Sequence, residues 1–140
     1  MAIQFSYHQT RFKLSHPKKT AAWIEQVAKT EKTRVDWLNY VFCSDRYLLG
    51  INQEHLHHDT LTDIVTFDLS ESPKLLEAEI YISIPRVREN ARKLGVDFGT
   101  ELHRVIIHGV LHLVGYKDKS AGEKREMREA EERYLKHIGT

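Results

Sequence analysis

The stretch HGVLHLVGYKD, His108 to Asp118, constrains the fold more than any other part of this chain. His108 and His112 are four residues apart, a spacing that points two side chains the same way only on a helix. Two imidazoles so placed can both reach one cation at the usual zinc–nitrogen distance of about 2.0–2.1 Å. Gly115 is where such a helix stops, because glycine enters the left-handed conformation cheaply. The chain can then turn back and bring Asp118 to the same ion, giving a His–His–Asp site. Asp118 keeps a second reading, as a turn residue ahead of the Ser120 cap. Gly109 occupies the position where HExxH zinc peptidases carry a glutamate that polarises the bound water. A glycine there lets the helix pack closely against another element and disfavours peptide hydrolysis by that route.

The rest of the chain supplies a scaffold. IQFSYH (Ile3–His8) alternates as a strand does, and HPKKTAAWIEQVAKTEK reads as a helix with Pro17 in its first turn and Ile24, Val27, Ala28 and Glu31 along one side. VDWLNYVFC reads as a strand, and Ser44 caps a helix through DRYLLGINQEHLHH. TDIVTFDL and AEIYISI are two more strands, whose mutual direction the sequence leaves open. PRVRENARKLG is a short helix begun by Pro85 and closed by Gly95, and Thr100 is expected to cap ELHRVIIHGVLHLV. Ser120 and Glu123 form a capping box for a last helix. That helix carries Met127, Ala130 and Tyr134 as an apolar stripe, with Glu129–Arg133 and Glu132–Lys136 as expected ion pairs. The pattern predicts one small α/β (α+β) domain over residues 1–140, with about four strands in a mixed sheet, interleaved helices and a helical C-terminal third.

With 140 residues and a net charge of +1, composition argues neither for nor against an anionic partner, which a local patch would have to meet. The single cysteine, Cys43, allows no intramolecular disulfide and reads as a buried small apolar residue suited to a reducing cytoplasm. No stretch has the length of a signal peptide's apolar core or of a membrane span. Trp23, Trp37, Tyr40 and Phe67 read as core rather than as base-stacking platforms. His55, His57 and His58 do not share one helical face and read as turn histidines. Asp59, Thr62 and Asp63 read as turn and strand-start residues, with an orienting role toward the site open to them.

HGVLHLVGYKD resembles the signature of the YbeY family of bacterial rRNA-maturation endoribonucleases, HGxLHLxGyDH. INQEHLHHDTLTDIVTF (Ile51–Phe67) is similar to that family's helix end, turn and strand, and AEIYIS (Ala78–Ser83) to its GDIxIS strand. The resemblance implies a zincin-like fold and a metal-dependent, single-strand-specific endoribonuclease. The implied cofactor is one Zn2+ per chain, with another divalent ion as the alternative. The implied role is 3′-end maturation of small-subunit ribosomal RNA and ribosome quality control. Implied partners are RNA, the small subunit and ribosome-associated proteins, with neither DNA nor a membrane expected.

His108 and His112 carry over from the family as ligands, while Asp118 stands at the family's third histidine and Lys117 at its usual aspartate. Leu56 stands where many members carry an arginine, a natural clamp for a phosphate. Replacements for it are sought in Arg86, Arg88, Arg92 and Lys93, read either as phosphate contacts or as a solvated helix face. Arg104 is a further candidate, one turn before His108, which could equally pair with Glu101. Two alternatives to the nuclease remain open at this point: a zinc peptidase-like hydrolase, and a non-catalytic ribosome-associated factor whose metal only pins the C-terminal helices.

Overall fold

Alternating apolar side chains at Leu38, Tyr40 and Phe42, and at Leu76, Ala78, Ile80 and Ile82, give two strands one fully buried face each. The computed structural model describes residues 2–56 and 62–138. Along them run β1 (Ile3–His8), α1 (Pro17–Thr30), β2 (Arg34–Cys43), α2 (Asp45–Leu56), β3 (Ile64–Asp68), β4 (Leu75–Ser83), α3 (Ile84–Leu94), α4 (Phe98–Leu113) and α5 (Ala121–Leu135). The strands form one sheet in the order β1-β2-β4-β3. β2 pairs in parallel with β1 and β4, and β3 runs antiparallel to β4, which settles the direction the sequence left open. The mixed α/β sheet and the helical C-terminal third are as the pattern predicts. The His57–His58 pair and Asp59 lie outside the described residues, as do the side chains of His55 and Leu56.

The even-numbered core positions of β2 and β4 face α1 and α4, with α5 packed behind them through Met127, Ala130 and Tyr134. Trp23 Nε1 donates to the Tyr134 carbonyl oxygen at 3.1 Å, tying α1 to α5. Tyr40 donates its buried hydroxyl to the Ile106 carbonyl oxygen at 3.0 Å, tying β2 to α4. The opposite face carries a smaller cluster of Cys43, Leu48 and Val65 beneath α2, against which Phe67 and Tyr81 are half-buried. Cys43 is fully buried, and burial pushes its thiol up to about 12. Trp23 and Tyr40 are core residues as expected, whereas Trp37 is only half-buried.

Two local expectations are corrected. Helix α4 begins at Phe98 with Asp97 as its N-cap, a turn earlier than a Thr100 cap would allow. The Glu101 N–H donates to the Asp97 carbonyl oxygen at 3.1 Å, and the Phe98 ring packs edge-on against Phe12 with centroids 5.8 Å apart. Asp97 makes no side-chain capping bond, so the partly buried Phe98 ring, packed against the core, contributes to the earlier start. On α5, Glu132 meets Arg104 at 2.6 Å, and Arg133 turns toward the Tyr116 hydroxyl at 3.3 Å. Contacts to helix α4 and to the turn after it thus take the place of the two expected pairs along one helix face.

Gly109 sets how deeply α4 sits. A Cβ added there would lie 3.2 Å from Ile64 Cδ1 and 3.3 Å from Ile80 Cδ1, on β3 and β4. The helix backbone therefore rests almost directly on the sheet, as the sequence suggested. A larger side chain at this position has to lift the helix or displace both isoleucines. Gly109→Leu should lower stability by about 1–3 kcal/mol through overpacking, even though leucine has the better helix propensity. Chemical denaturation measures this; an unchanged midpoint would show that the helix does not approach the sheet so closely.

Candidate metal centre

A polar cleft of about 360 Å³ opens where α4, α5 and the start of β3 meet, and His108 lies in its wall. Helix α4 presents Glu101, Arg104, Val105 and His108 along one side, as their three- and four-residue spacing requires. Gly115 ends the helix with φ 116, and the chain turns back to place Asp118 in the same cleft. Asp118 Oδ2 lies 3.4 Å from His108 Nε2. The rings of His108 and His112 are nearly parallel, 9° apart in plane with centroids 6.3 Å apart. The expected return of the acidic side chain to the first histidine is present. Among the described residues, no three His, Cys, Asp or Glu side chains are yet drawn together around one point.

His108 is held from its other nitrogen. Its Nδ1 lies 2.7 Å from Glu131 Oε2, and the Glu131 side chain is only 7% exposed. With Nδ1 donating to the carboxylate, Nε2 faces Asp118, and in the neutral ring it carries the lone pair that a metal would need. Metal-binding histidines are commonly oriented in this way by a carboxylate on their second nitrogen. Glu131 was missed in the sequence. Its signal was an acid set beside Ala130, four after Met127 and three before Tyr134, on a stripe otherwise apolar. A buried carboxylate in such a place needs a partner.

Arg104 knits the same two helices together. Its guanidinium lies 3.4 Å from Glu101, 3.4 Å from Glu131 and 2.6 Å from Glu132. The pairing with Glu101 considered from the sequence is therefore present, and two further carboxylates share the charge. Burial raises the Glu101 carboxyl above its usual range, and the Arg104 charge only partly opposes this. Asp63 also lines the cleft and accepts a hydrogen bond from the Asn90 amide at 3.3 Å. Burial raises its pKa, so this carboxyl can hold or release a proton at higher pH than an exposed aspartate.

The other sequence candidates are placed differently. Arg86 pairs with Asp45 at 2.7 Å, Arg88 stacks over the Phe98 ring at 4.4 Å, and Arg92 pairs with Glu89. None of the three lines the cleft. A Cβ at position 109 points at Ile64 and Ile80, so a glutamate there would be driven onto apolar sheet residues rather than toward the histidines. The peptidase alternative loses its base on packing grounds as well as on sequence. A larger hollow of about 650 Å³ lies between α1 and α5, lined by Trp23, Arg133 and Tyr134 among others. Among the described residues it holds a single imidazole, that of His137, and no carboxylate, so the donor chemistry singles out the smaller cleft.

Comparison with known proteins identifies the family. Residues 4–139 match the family described as Endoribonuclease YbeY. Proteins named Endoribonuclease YbeY from Amoebophilus asiaticus and Cytophaga hutchinsonii are each 46% identical to this chain over 133 residues. Those alignments cover 95% of this chain, and 90% and 93% of the relatives. The solution structure of TM1509 from Thermotoga maritima superposes with a TM-score of 0.67 at 29% identity, covering 96% of this chain and 88% of that one.

The Glu131 contact has a pH signature. Burial disfavours the charged His108 ring, yet the Glu131 hydrogen bond and the surrounding carboxylates outweigh it, and the net pKa is raised. A folded value above the unfolded value of about 6.5 means this stabilisation is fully present below that pH and is lost as pH rises through the folded value. Glu131→Gln should cost about 1–3 kcal/mol in all, with a larger loss near pH 6 than near pH 8. Its His108 titration by NMR should move to lower pH. A loss that is the same at both pH values, with an unmoved titration, would show that the charge contact is absent.

Proposed function

Because this chain belongs to the YbeY family of endoribonucleases, we propose that it cleaves single-stranded RNA with the help of a divalent metal ion, zinc by preference. Its biological task is 3′-end maturation of small-subunit ribosomal RNA and ribosome quality control, in the cytoplasm, with the small subunit and its associated proteins as partners. No helix among the described residues is long and apolar enough to cross a membrane.

His108, His112 and Asp118 would hold the ion. Two imidazoles and a carboxylate suit zinc, and a site with three protein ligands keeps a position open for substrate or water. The fit rests on the Glu131 carboxylate, which fixes the His108 ring with Nε2 turned toward Asp118. When bound, such an ion supplies Lewis acidity toward a phosphoryl oxygen or a water of lowered pKa. The protein's own groups do the remainder. Glu131 orients His108, and Arg104 pairs with Glu131 and holds it in place. Asp63 offers a carboxyl that can take a proton within the same cleft, a role that Gly109 cannot fill.

The single observation carrying this reading is the His108–Asp118 approach in a cleft backed by Glu131. Purified protein supplied with zinc should cut single-stranded RNA, and His112→Ala should reduce the rate by at least about 10³-fold, since an ion-dependent step loses most of its electrostatic stabilisation with a ligand. A labelled oligonucleotide resolved on a denaturing gel reads this directly. Undiminished cleavage by a clean, folded His112→Ala sample would sink the mechanism.

A further inference from the structure

A phosphodiester chain entering this cleft meets a concentration of negative charge. Asp63, Glu101, Asp118 and Glu131 all line it, and their positive counterparts on α4, Arg104 and His108, are already engaged by those acids. Polyanion binding needs cations that are near the reacting groups and not yet neutralised. The arginines that stand out in the sequence do not supply them, because Arg86, Arg92 and Arg104 sit in ion pairs and Arg88 lies against Phe98.

Helix α5 does supply them. Lys124 and Arg128 line the cleft together with His108 and Asp118, and both are exposed. Among the described residues neither takes part in an ion pair. Lys124, Arg128 and Glu131 follow one another at four- and three-residue intervals, so they share one face of the helix. Glu131 fixes the direction of that face, because its carboxylate rests on His108 Nδ1 at 2.7 Å. The two cations therefore continue along the cleft wall from the histidine. The capping box of Ser120 and Glu123 anchors the start of the helix that carries them, with Glu123 N donating to Ser120 Oγ at 3.1 Å. The cleft, at about 360 Å³, falls within the ordinary range for a ligand pocket.

We propose that Lys124 and Arg128 form the phosphate-backbone subsite of this cleft, gripping the single-stranded RNA that the nuclease reading requires. The guanidinium can take two phosphate oxygens at once, and the lysine adds a mobile point charge one turn away. The contact is to the backbone, so it aids binding without selecting a base.

The test is binding of a fluorescein-labelled single-stranded RNA, followed by anisotropy with a chelator present to keep the strand intact. Salt is varied between about 50 and 200 mM. Lys124→Gln/Arg128→Gln should weaken binding about tenfold at the lower salt. It should also flatten the log–log salt dependence by about 1.4, or about 0.7 for each phosphate of the strand that the protein no longer neutralises. Arg125→Gln/Lys136→Gln removes two other exposed cations, one on the same helix and one at its C-cap, neither lining the cleft, and should leave both quantities near wild type. Circular dichroism confirms that each double variant folds, as exposed glutamines on a helix should allow. Unchanged affinity and slope in the first variant, or equal losses in the two, would overturn the subsite while leaving the nuclease reading standing. A wild-type protein that neither binds the strand nor cuts it when supplied with zinc would remove that reading, and the subsite with it.

Discussion

The hydrogen bond between Glu131 and His108 Nδ1, 2.7 Å long and with its carboxylate side buried, is what the rest of the site leans on. It joins two helices that the core alone would leave free to slide, since Met127, Ala130 and Tyr134 give α5 only an apolar stripe. Apolar contact is indifferent to small shifts, whereas a carboxylate–imidazole bond loses its strength over a few tenths of an ångström. The bond thus sets the register of α5 against α4. It also chooses which His108 nitrogen faces Asp118.

A buried carboxylate such as Glu131 would be costly without partners. Arg104 offsets that cost, and it shares itself among three carboxylates rather than pairing with one. Its Nε and Glu101 Oε1 lie 3.4 Å apart without a directed hydrogen bond, so they neutralise each other by charge alone. Such a knot is strongly coupled, and removing one member exposes the others to an uncompensated field. The close seating of α4 at Gly109 lies beneath all of this. It brings the helix near the start of β3, where Asp63 lines the same cleft as the histidine.

Much of this was legible in the chain. The strands declared themselves by alternation and by β-branched and aromatic runs, and the Ser120 capping box and the Gly115 stop were written in residues whose local chemistry allows little else. His108, His112 and the return of Asp118 followed from helical spacing and one glycine. What escaped were interactions between elements. Nothing near Phe98 in sequence reveals the Phe12 ring that makes an earlier helix start worthwhile. Glu132 looked like a partner for a residue on its own helix, until α4 brought Arg104 closer. Glu131 carried a faint sign, an acid on an apolar stripe, but its partner lies 23 residues away. The arginines of α3 were conspicuous by density alone, and density does not say which way a face points.

The whole arrangement is worth its cost only if His108, His112 and Asp118 close around an ion. The decisive measurement is elemental analysis of the folded protein after equilibration with zinc and removal of the excess, with Asp118→Ala carried alongside. One tightly held ion per chain in the parent and a marked loss in the variant is the expected pattern. A folded parent protein that retains no divalent ion and shows no affinity for one would contradict it.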